Sequence, residues 1–469
     1  MPFEFIDNHN DLSHNDAARK RIRSHAALGK NRGKKIMRPS TKGVSTTTIT
    51  SFRIPFIMRG DSKAKRQDPT IERPIDDGLI FPGLLPGESK GIVKEAVISF
   101  LSSMGFSPEL RNGLDYGELS APVCVQNMFV DEACFHSTMA TALLCLDNLV
   151  SKPDGKLQAM RHASNTFCLL QQKISLQSVI TDLTIAAVIG MAQYEHQLHQ
   201  FQQGSVHVHG LWRMAQLRGG ILKLMEGQSG LGEKILRVDL EYALQLGTPT
   251  LFRLEEAEWA FMGMRQFSDV HAQPNGKDYF PRSQQHILGS LPINLRDLFL
   301  DVLFLASSLN NAMTGDSPKL GVFQLHQNII LLGYRLVKLK PLGLPLRSSS
   351  LENRVHLGLA AFLASFLQGW DGQISPNHLL SRSLLASVHQ HLSAEQNEQE
   401  LSLWALFIGA VLPSSWNDST WVLKTRVTLK ALGIDSWGDI RDILGKYPWV
   451  NAIHDPPGQT LWYRCLESL

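Results

Sequence analysis

The sequence predicts an all-α protein, with a large multi-helix domain that follows a basic and mostly disordered N-terminal arm. From about Gly91 onward, apolar residues recur at steps of three and four, which is the period of an α-helix. Sustained apolar–polar alternation and strand–helix alternation are both absent, which argues against a sheet. Residues 1–90 show no sustained periodicity and are rich in charged residues, Ser, Thr and Pro. We therefore expect an arm at 1–90 and a body of ten to fourteen helices at 91–469.

The charge is unevenly distributed along the chain. The net charge is only +3, but residues 1–70 hold 15 Lys and Arg against 6 Asp and Glu, and the remainder holds 31 against 37. A basic arm on a mildly acidic body indicates an anionic partner or a nuclear import signal, while a solvated disordered tail is the plain alternative.

Cysteines and apolar runs exclude several classes of protein. Five cysteines are present and none forms a C-x-x-C pair, so we expect buried thiols in a reducing compartment and no zinc cluster. Residues 1–15 are polar and lack the apolar segment of a secretory signal. The longest apolar runs, Leu357–Leu367 and Leu403–Leu412, fall short of the ~20 residues that span a bilayer, so they predict core helices and no membrane partner.

Helical periodicity defines the elements of the body in order. Prolines at 69, 74, 82 and 86 break the region before it. The predicted helices lie near 92–100 and at 131–150, 157–174, 181–200, 233–246, 292–308, 320–338, 355–370 and 401–411. In the third of the long helices, Ala186, Ala187 and Gly190 form a narrow face that lets a neighbouring helix approach closely.

The central stretch, His207–Leu224, predicts a helix, a glycine stop and a second helix. Val208, Leu211, Met214 and Ala215 lie on one helical face, and Gly219-Gly220 then offers a left-handed stop. Near the C-terminus, the sequence His454-Asp-Pro-Pro-Gly458 predicts a turn after the last long helix, which Trp449 and Trp462 should pack down.

No set of residues predicts catalysis, a cofactor or a metal. His207 and His209 are two apart and so face opposite sides of a helix, and His196 and His199 lack further ligands, so structural or surface roles are expected. The sequence contains no Walker-type, G-x-G-x-x-G or H-E-x-x-H motif. A His454–Asp455 pair would need a nucleophile that the sequence does not identify.

The basic arm is the one candidate functional site. Its residues form two clusters about ten residues apart, as in a bipartite nuclear import signal, and they also suit phosphate contacts. The candidate residues are Arg19, Lys20, Arg21, Arg23, Lys30, Arg32, Lys34, Lys35 and Arg38. No side chains are organised to read bases, so any DNA contact should be unspecific.

Several segments in order resemble a fungal family known as fungal-specific transcription-factor-like, some of whose members are labelled tachykinin family. The segments are Phe3–Ile6, Arg19–His25, Asp182–Val188, Leu217–Gly220, Leu403–Ala410, Pro448-Trp449 and His454-Asp455. The resemblance implies a basic arm, a proline-rich linker and a helical domain similar to the regulatory region of fungal zinc-cluster transcription factors. Those factors carry six cysteines near the N-terminus, whereas this chain has none before Cys124.

The resemblance therefore implies a nuclear transcription regulator that relies on a protein partner for specific DNA binding. That partner would be another regulator, and an import receptor would bind the arm. Two alternatives stay open: a plain interaction scaffold, and an all-α enzyme or ligand-binding protein with a pocket in the body. All-α prenyl-transfer enzymes would need a D-D-x-x-D motif for magnesium, which the sequence lacks. We also expect that removing residues 1–90 leaves the body folded.

Overall fold

The structure is a computed structural model, and it confirms the all-α prediction. It describes the following residues, all of which belong to one compact unit at 59–469: 83–85, 88, 90–103, 108–116, 123–150, 154–175, 180–226, 230–261, 287–344, 350–368, 373–388, 395–413 and 418–467. The basic arm lies outside these residues. Within them the chain forms seventeen α-helices and one 3-10 helix, more than the ten to fourteen expected. The excess comes from short helices, whose few residues give too little periodicity to detect.

The first half of the described chain contains nine α-helices. They are α1 Lys90–Ser103, α2 Val123–Met128, α3 Glu132–Val150, α4 Gly155–Ser175, α5 Asp182–Gln197, α6 Phe201–Leu217, α7 Ile221–Met225, α8 Leu231–Leu246 and α9 Leu254–Ala260. A 3-10 helix, Pro108–Gly113, leads into the two-residue strand β1, Leu114–Asp115.

The second half contributes eight α-helices. They are α10 Ile293–Thr314, α11 Val322–Leu339, α12 Ser350–Ala364, α13 His378–Ser387, α14 Gln396–Gly409, α15 Ser419–Leu432, α16 Trp437–Leu444 and α17 Asn451–Glu467. Strand β2, Leu320–Gly321, pairs in parallel with β1, with Leu114 opposite Leu320. The pairing of these two short strands attaches the start of α11 to the first half of the chain.

Helix α5 is the centre of the first half. Thr181 caps its N-terminus by accepting a hydrogen bond from the Thr184 backbone, and all residues from Ala187 to His196 are buried. It packs between α3, α6 and α8. Gly190 permits the close approach that the sequence predicts, because a Cβ there would lie 2.8 Å from Ser137 Cβ on α3.

The corner between α6 and α7 follows the sequence prediction. Gly219 and Gly220 have φ of +92° and +95°, a conformation that side chains with a Cβ rarely adopt. Leu211, on the predicted apolar face, is fully buried. Arg218 fixes the corner against the start of α5, since its guanidinium donates to the Ile180 carbonyl at 2.7 Å and pairs with Asp182 at 2.9 Å.

The second half is organised around α14, which packs against α12, α13, α15, α16 and α17. All of its residues from Glu400 to Gly409 are buried. Trp404 stacks on Tyr447, with ring centroids 5.5 Å apart, and donates its indole N–H to the Pro448 carbonyl at 3.0 Å. A Cβ at Gly358 of α12 would lie 2.4 Å from the Trp404 ring, so only glycine fits there.

The C-terminal prediction is half wrong. Trp449 and Trp462 are buried as expected, but Pro456 and Pro457 lie inside α17 rather than in a turn. Proline removes an N–H and so leaves a carbonyl in the preceding turn without its helical partner. Pro456 is exposed and Pro457 is half-buried. The buried Leu461, Trp462 and Cys465 then hold the rest of the helix against the core.

Candidate functional site

The nine basic residues between Arg19 and Arg38 lie outside the described residues, so their role stays a prediction. Within the described body, three features carry charged or exposed apolar groups in unusual positions. They are a buried polar network, a buried histidine chain and an exposed apolar helix face.

A polar network crosses the core between α5, α8 and α11. Arg237 donates to Glu241 at 2.7 Å, to the Gln368 carbonyl at 2.7 Å and to His326 Nε2 at 2.9 Å. Since His326 Nε2 accepts, its Nδ1 carries the proton that it shares with Glu233. Gln193 donates to the second oxygen of Glu241 at 3.0 Å.

Glu241 is ionised in this network although it is buried. Burial raises its pKa, but the Arg237 guanidinium, His196 and the two donated hydrogen bonds together bring the pKa below its usual range. Glu195 lies in the same region with one buried oxygen that has no hydrogen-bond partner, and burial raises its pKa. The paired groups Arg237 and Glu241 fix how these helices pack, because a displaced partner would leave a buried charge without compensation.

Two cavities in the described body are small. One, beside His196, Glu241 and Ser375, has a volume of about 20 Å³, which is room for one water molecule. The other, of about 180 Å³, lies between α1, α3 and α4 against Ile92 and Leu143. Both are below the roughly 300–1,000 Å³ of ordinary ligand pockets.

A chain of three buried side chains joins the start of the described body to α3 and α4. Glu88 accepts from His162 Nε2 at 2.9 Å, and His162 Nδ1 lies 2.7 Å from His136 Nδ1. Only one proton fits between the two Nδ1 atoms, so the two imidazoles are not both cationic. Burial and the adjacent His162 lower the pKa of His136 to about 4. Glu88, which the predicted boundary after residue 90 assigns to the arm, is thus anchored on the body.

The remaining histidines and cysteines take structural or surface positions. His196 is buried and His199 is exposed with φ of +57°, so the two do not share a face. His207 lies against Phe167, and His209 bonds the Ser205 carbonyl. Three of the four cysteines whose environment is described, Cys134, Cys145 and Cys465, are buried as predicted, whereas Cys168 is exposed.

Helix α4 exposes large apolar side chains on the side that faces away from the core. Its inner face buries small and polar residues such as Ala159, Ala163 and Thr166. We call the exposed set the α4 face: Leu157, Met160, Phe167 and Ile174, which are 44%, 56%, 43% and 57% exposed. Seven-residue steps separate the last three, so they project in nearly one direction along the helix.

Basic residues border the α4 face. Lys156 and Arg161 are exposed beside it, and neither α4 nor the neighbouring α6 contains an Asp or Glu. The contact between the rings of Phe167 and His207 brings α6 against one edge of this face. The nearest acidic residue in sequence is Asp154, which precedes α4. The face is therefore both apolar and positively charged.

Sequence reasoning missed this face although its signal is present. The periodicity predicts a helix at 157–174, but apolar residues occur on two sides of that helix. The helix has more apolar residues than one buried face needs. The additional ones are Leu157, Met160, Phe167 and Ile174, which lie outside the stripe formed by Ala159, Ala163 and Leu170. Sequence alone does not say which of two apolar stripes faces the core.

Comparisons with known proteins identify no relative. No protein-family model, no curated protein and no solved structure matches this chain. None of the helices that the structure describes is both long and apolar enough to cross a lipid bilayer. Across the described ranges, no three His, Cys, Asp or Glu side chains are arranged to hold a metal ion.

Proposed function

We propose that the protein is a non-enzymatic nuclear regulator of transcription, whose helical body binds a protein partner and whose basic arm directs import. The observation that carries the proposal is the α4 face, four large apolar side chains that a single helix leaves exposed. Contiguous exposed apolar surface on a soluble domain is typical of a protein-binding site. The resemblance to fungal regulatory domains, stated from sequence segments, points the same way.

The arm supplies the second part of the proposal. Its two basic clusters, Arg19–Arg23 and Lys30–Arg38, suit the acidic grooves of an import receptor, and they also suit unspecific contacts with DNA phosphates. Specific DNA binding would come from the partner, because the chain has no cysteine before Cys124 to build a zinc cluster.

Localisation of a fluorescent fusion tests the proposal. Changing Arg32, Lys34, Lys35 and Arg38 together to Ala should move the fusion from the nucleus to the cytoplasm. The matched control changes Arg53, Arg59, Lys63 and Lys65, which lie outside the two clusters, and should leave the fusion nuclear. Wild-type protein that is cytoplasmic from the outset would refute the nuclear assignment and favour a cytoplasmic scaffold.

Chromatin occupancy separates import from DNA contact. A tagged protein should occupy chromatin, and fusing an unrelated import signal to the four-alanine variant should restore that occupancy. If import is restored but occupancy is not, the arm itself contacts DNA. The salt dependence of DNA binding by the variant should then be shallower by about one unit of slope for each phosphate that the arm no longer neutralises.

A further inference from the structure

We infer that the α4 face, with its basic border, is the docking site of an acidic amphipathic helix of a partner protein. The inference deepens the proposed function and rests on it in one respect, that the body binds a protein. It assigns the surface and the chemistry of what binds there.

The spacing of the face fits a helix. Leu157 and Ile174 are 17 residues apart, which corresponds to about 25 Å along the axis of α4. A partner helix of about five turns that lies along α4 would cover all four apolar side chains. Met160, Phe167 and Ile174 lie at seven-residue steps, so a partner helix would need apolar residues at the same spacing to pack against them, as in other helix–helix contacts.

The charge of the α4 face favours an acidic partner helix over a second copy of this chain. Lys156 and Arg161 border the apolar residues on α4. Helix α4 itself carries no carboxylate that would balance them, and the exposed Asp154 lies just before its first turn. A second copy of this chain would bring a second basic border against the first, which costs free energy through like-charge repulsion. A helix with Glu or Asp beside its apolar stripe would instead pair with Lys156 and Arg161.

The apolar residues argue against nucleic acid as the occupant. Leu157, Met160 and Ile174 are aliphatic and offer no aromatic face on which a base could stack. Phe167 is the single aromatic ring of the face, and it already lies against His207, with ring centroids 5.5 Å apart. Burial of such side chains is favourable against another apolar protein surface.

The test uses two synthetic helices and the full-length protein. The first probe is an amphipathic peptide of about 21 residues, roughly the length of α4, with Leu at the seam positions and Glu at the flanking positions. The second replaces every Glu by Lys and keeps the seam. We expect at least about tenfold tighter binding of the Glu peptide, measured by calorimetry or fluorescence anisotropy, with the preference reduced at ~1 M salt because screening acts on the charged border.

Protein variants locate the binding. Met160→Ser with Phe167→Ser should weaken binding of the Glu peptide at least about tenfold, whereas Phe323→Ser, at a site 63% exposed on α11, should not change it. Lys156→Glu with Arg161→Glu should reverse the preference so that the Lys peptide binds more tightly. This reversal distinguishes a specific charged border from general stickiness.

Three outcomes overturn the inference. The first is equal affinity for the two peptides, or no binding of either. The second is self-association of the protein, by sedimentation, that the Met160→Ser and Phe167→Ser changes abolish, which would assign the face to a second copy. The third is binding of single-stranded DNA that the same changes abolish. Each leaves the nuclear localisation untouched, so failure here is distinct from failure of the proposed function.

Discussion

Helices α4 and α14 both carry apolar residues on more than one side, but only α14 is covered on every side. From Glu400 to Gly409 every residue of α14 is buried, under five neighbouring helices. Helix α4 is covered on the side of Ala159 and Ala163, while Met160 and Phe167 stay exposed. The same excess of apolar residues therefore builds a core in one half of the body and leaves a surface in the other.

The difference shows what decides between a core helix and a binding helix. Helix propensity and periodicity are local, whereas cover comes from segments far away in sequence. Trp404 of α14 is covered by Gly358 of α12 and Tyr447 beyond α16. Phe167 of α4 contacts only the edge of α6 through His207 in the ring contacts described, and it stays 43% exposed. Changes to covered and uncovered side chains of matched type should therefore differ sharply in their effect on stability.

The largest effect is expected from Leu211→Asp on the covered face of α6. Leu211 is fully buried, so the carboxylate would lie in the core without a partner and cost several kcal/mol of stability. We expect loss of soluble protein or a melting temperature too low to measure. Val206→Asp is the matched control, because Val206 on the same helix is 69% exposed. An unchanged melting temperature for Leu211→Asp would contradict the burial of this face of α6.

Trp404→Ala should be the next most destabilising change. Removal of the indole leaves a large cavity beside Gly358. It also leaves the Pro448 carbonyl without its hydrogen-bond donor. Together these two losses should lower the free energy of unfolding by about 3–5 kcal/mol. Denaturant unfolding followed by circular dichroism measures it. Trp259→Ala on α9 removes the same side chain from a site that is 55% exposed, and should cost less than about 1 kcal/mol. Equal losses in the free energy of unfolding for the two variants would mean that burial of the tryptophan does not determine how much stability is lost.

Two truncations test where the covered body begins. Deleting residues 1–82 retains Glu88, whereas deleting residues 1–90 removes it and leaves His162 without its carboxylate partner. The longer deletion should therefore cost about 1–3 kcal/mol more than the shorter one, the usual penalty for an unpaired buried group. Full-length protein with Glu88→Gln provides the control for the carboxylate alone. If both truncated proteins unfold at the same denaturant concentration, Glu88 contributes nothing to the body.

Particular residues show how much of this structure can be predicted from the sequence. The Gly219-Gly220 stop and the narrow face at Gly190 follow from local chemistry, and both were predictable. The helix through Pro456 was not, because local propensity opposes it and the packing of Leu461, Trp462 and Cys465 overrides it. The hydrogen bond between Arg237 and His326 joins α8 to α11, which lie far apart in sequence, so no local pattern predicts it. The outer residues of α4 were visible in the sequence as apolar, but their exposure was not.

A smaller effect, dependent on pH, is expected at His454, which packs on Phe362 of α12. Its Nδ1 accepts from the Val450 backbone at 2.8 Å, so its Nε2–H donates to Ser365 Oγ at 3.0 Å and the ring is neutral. Burial lowers the pKa of His454 to about 3. Between that value and the ordinary pKa of about 6.5, the unfolded chain binds a proton that the folded chain does not.

The free energy of unfolding should therefore fall by about 1.4 kcal/mol per pH unit from His454 alone as the pH drops through this window. His454→Gln should be less stable at neutral pH, because it loses ring contacts, yet show a shallower decline with acid. Denaturant unfolding at about pH 6 and about pH 4.5 measures the two slopes. Asp239, whose pKa burial raises to about 6, opposes this trend but is common to both proteins. Parallel slopes for the two proteins would exclude His454 as a source of the acid sensitivity.

The smallest effect on stability is expected at the α4 face itself. Phe167→Ser removes a side chain that is 43% exposed and whose described ring contact is with His207, so the stability should change by no more than about 1 kcal/mol. Thermal unfolding of Phe167→Ser and of Cys168→Ser, an exposed neighbour, should therefore agree closely. Colloidal behaviour should differ, because removing an exposed aromatic ring lowers nonspecific association, which light scattering detects at high concentration. A loss as large as that of Trp404→Ala would mean that Phe167 is covered in solution, and α4 would then belong with α14 as a core helix.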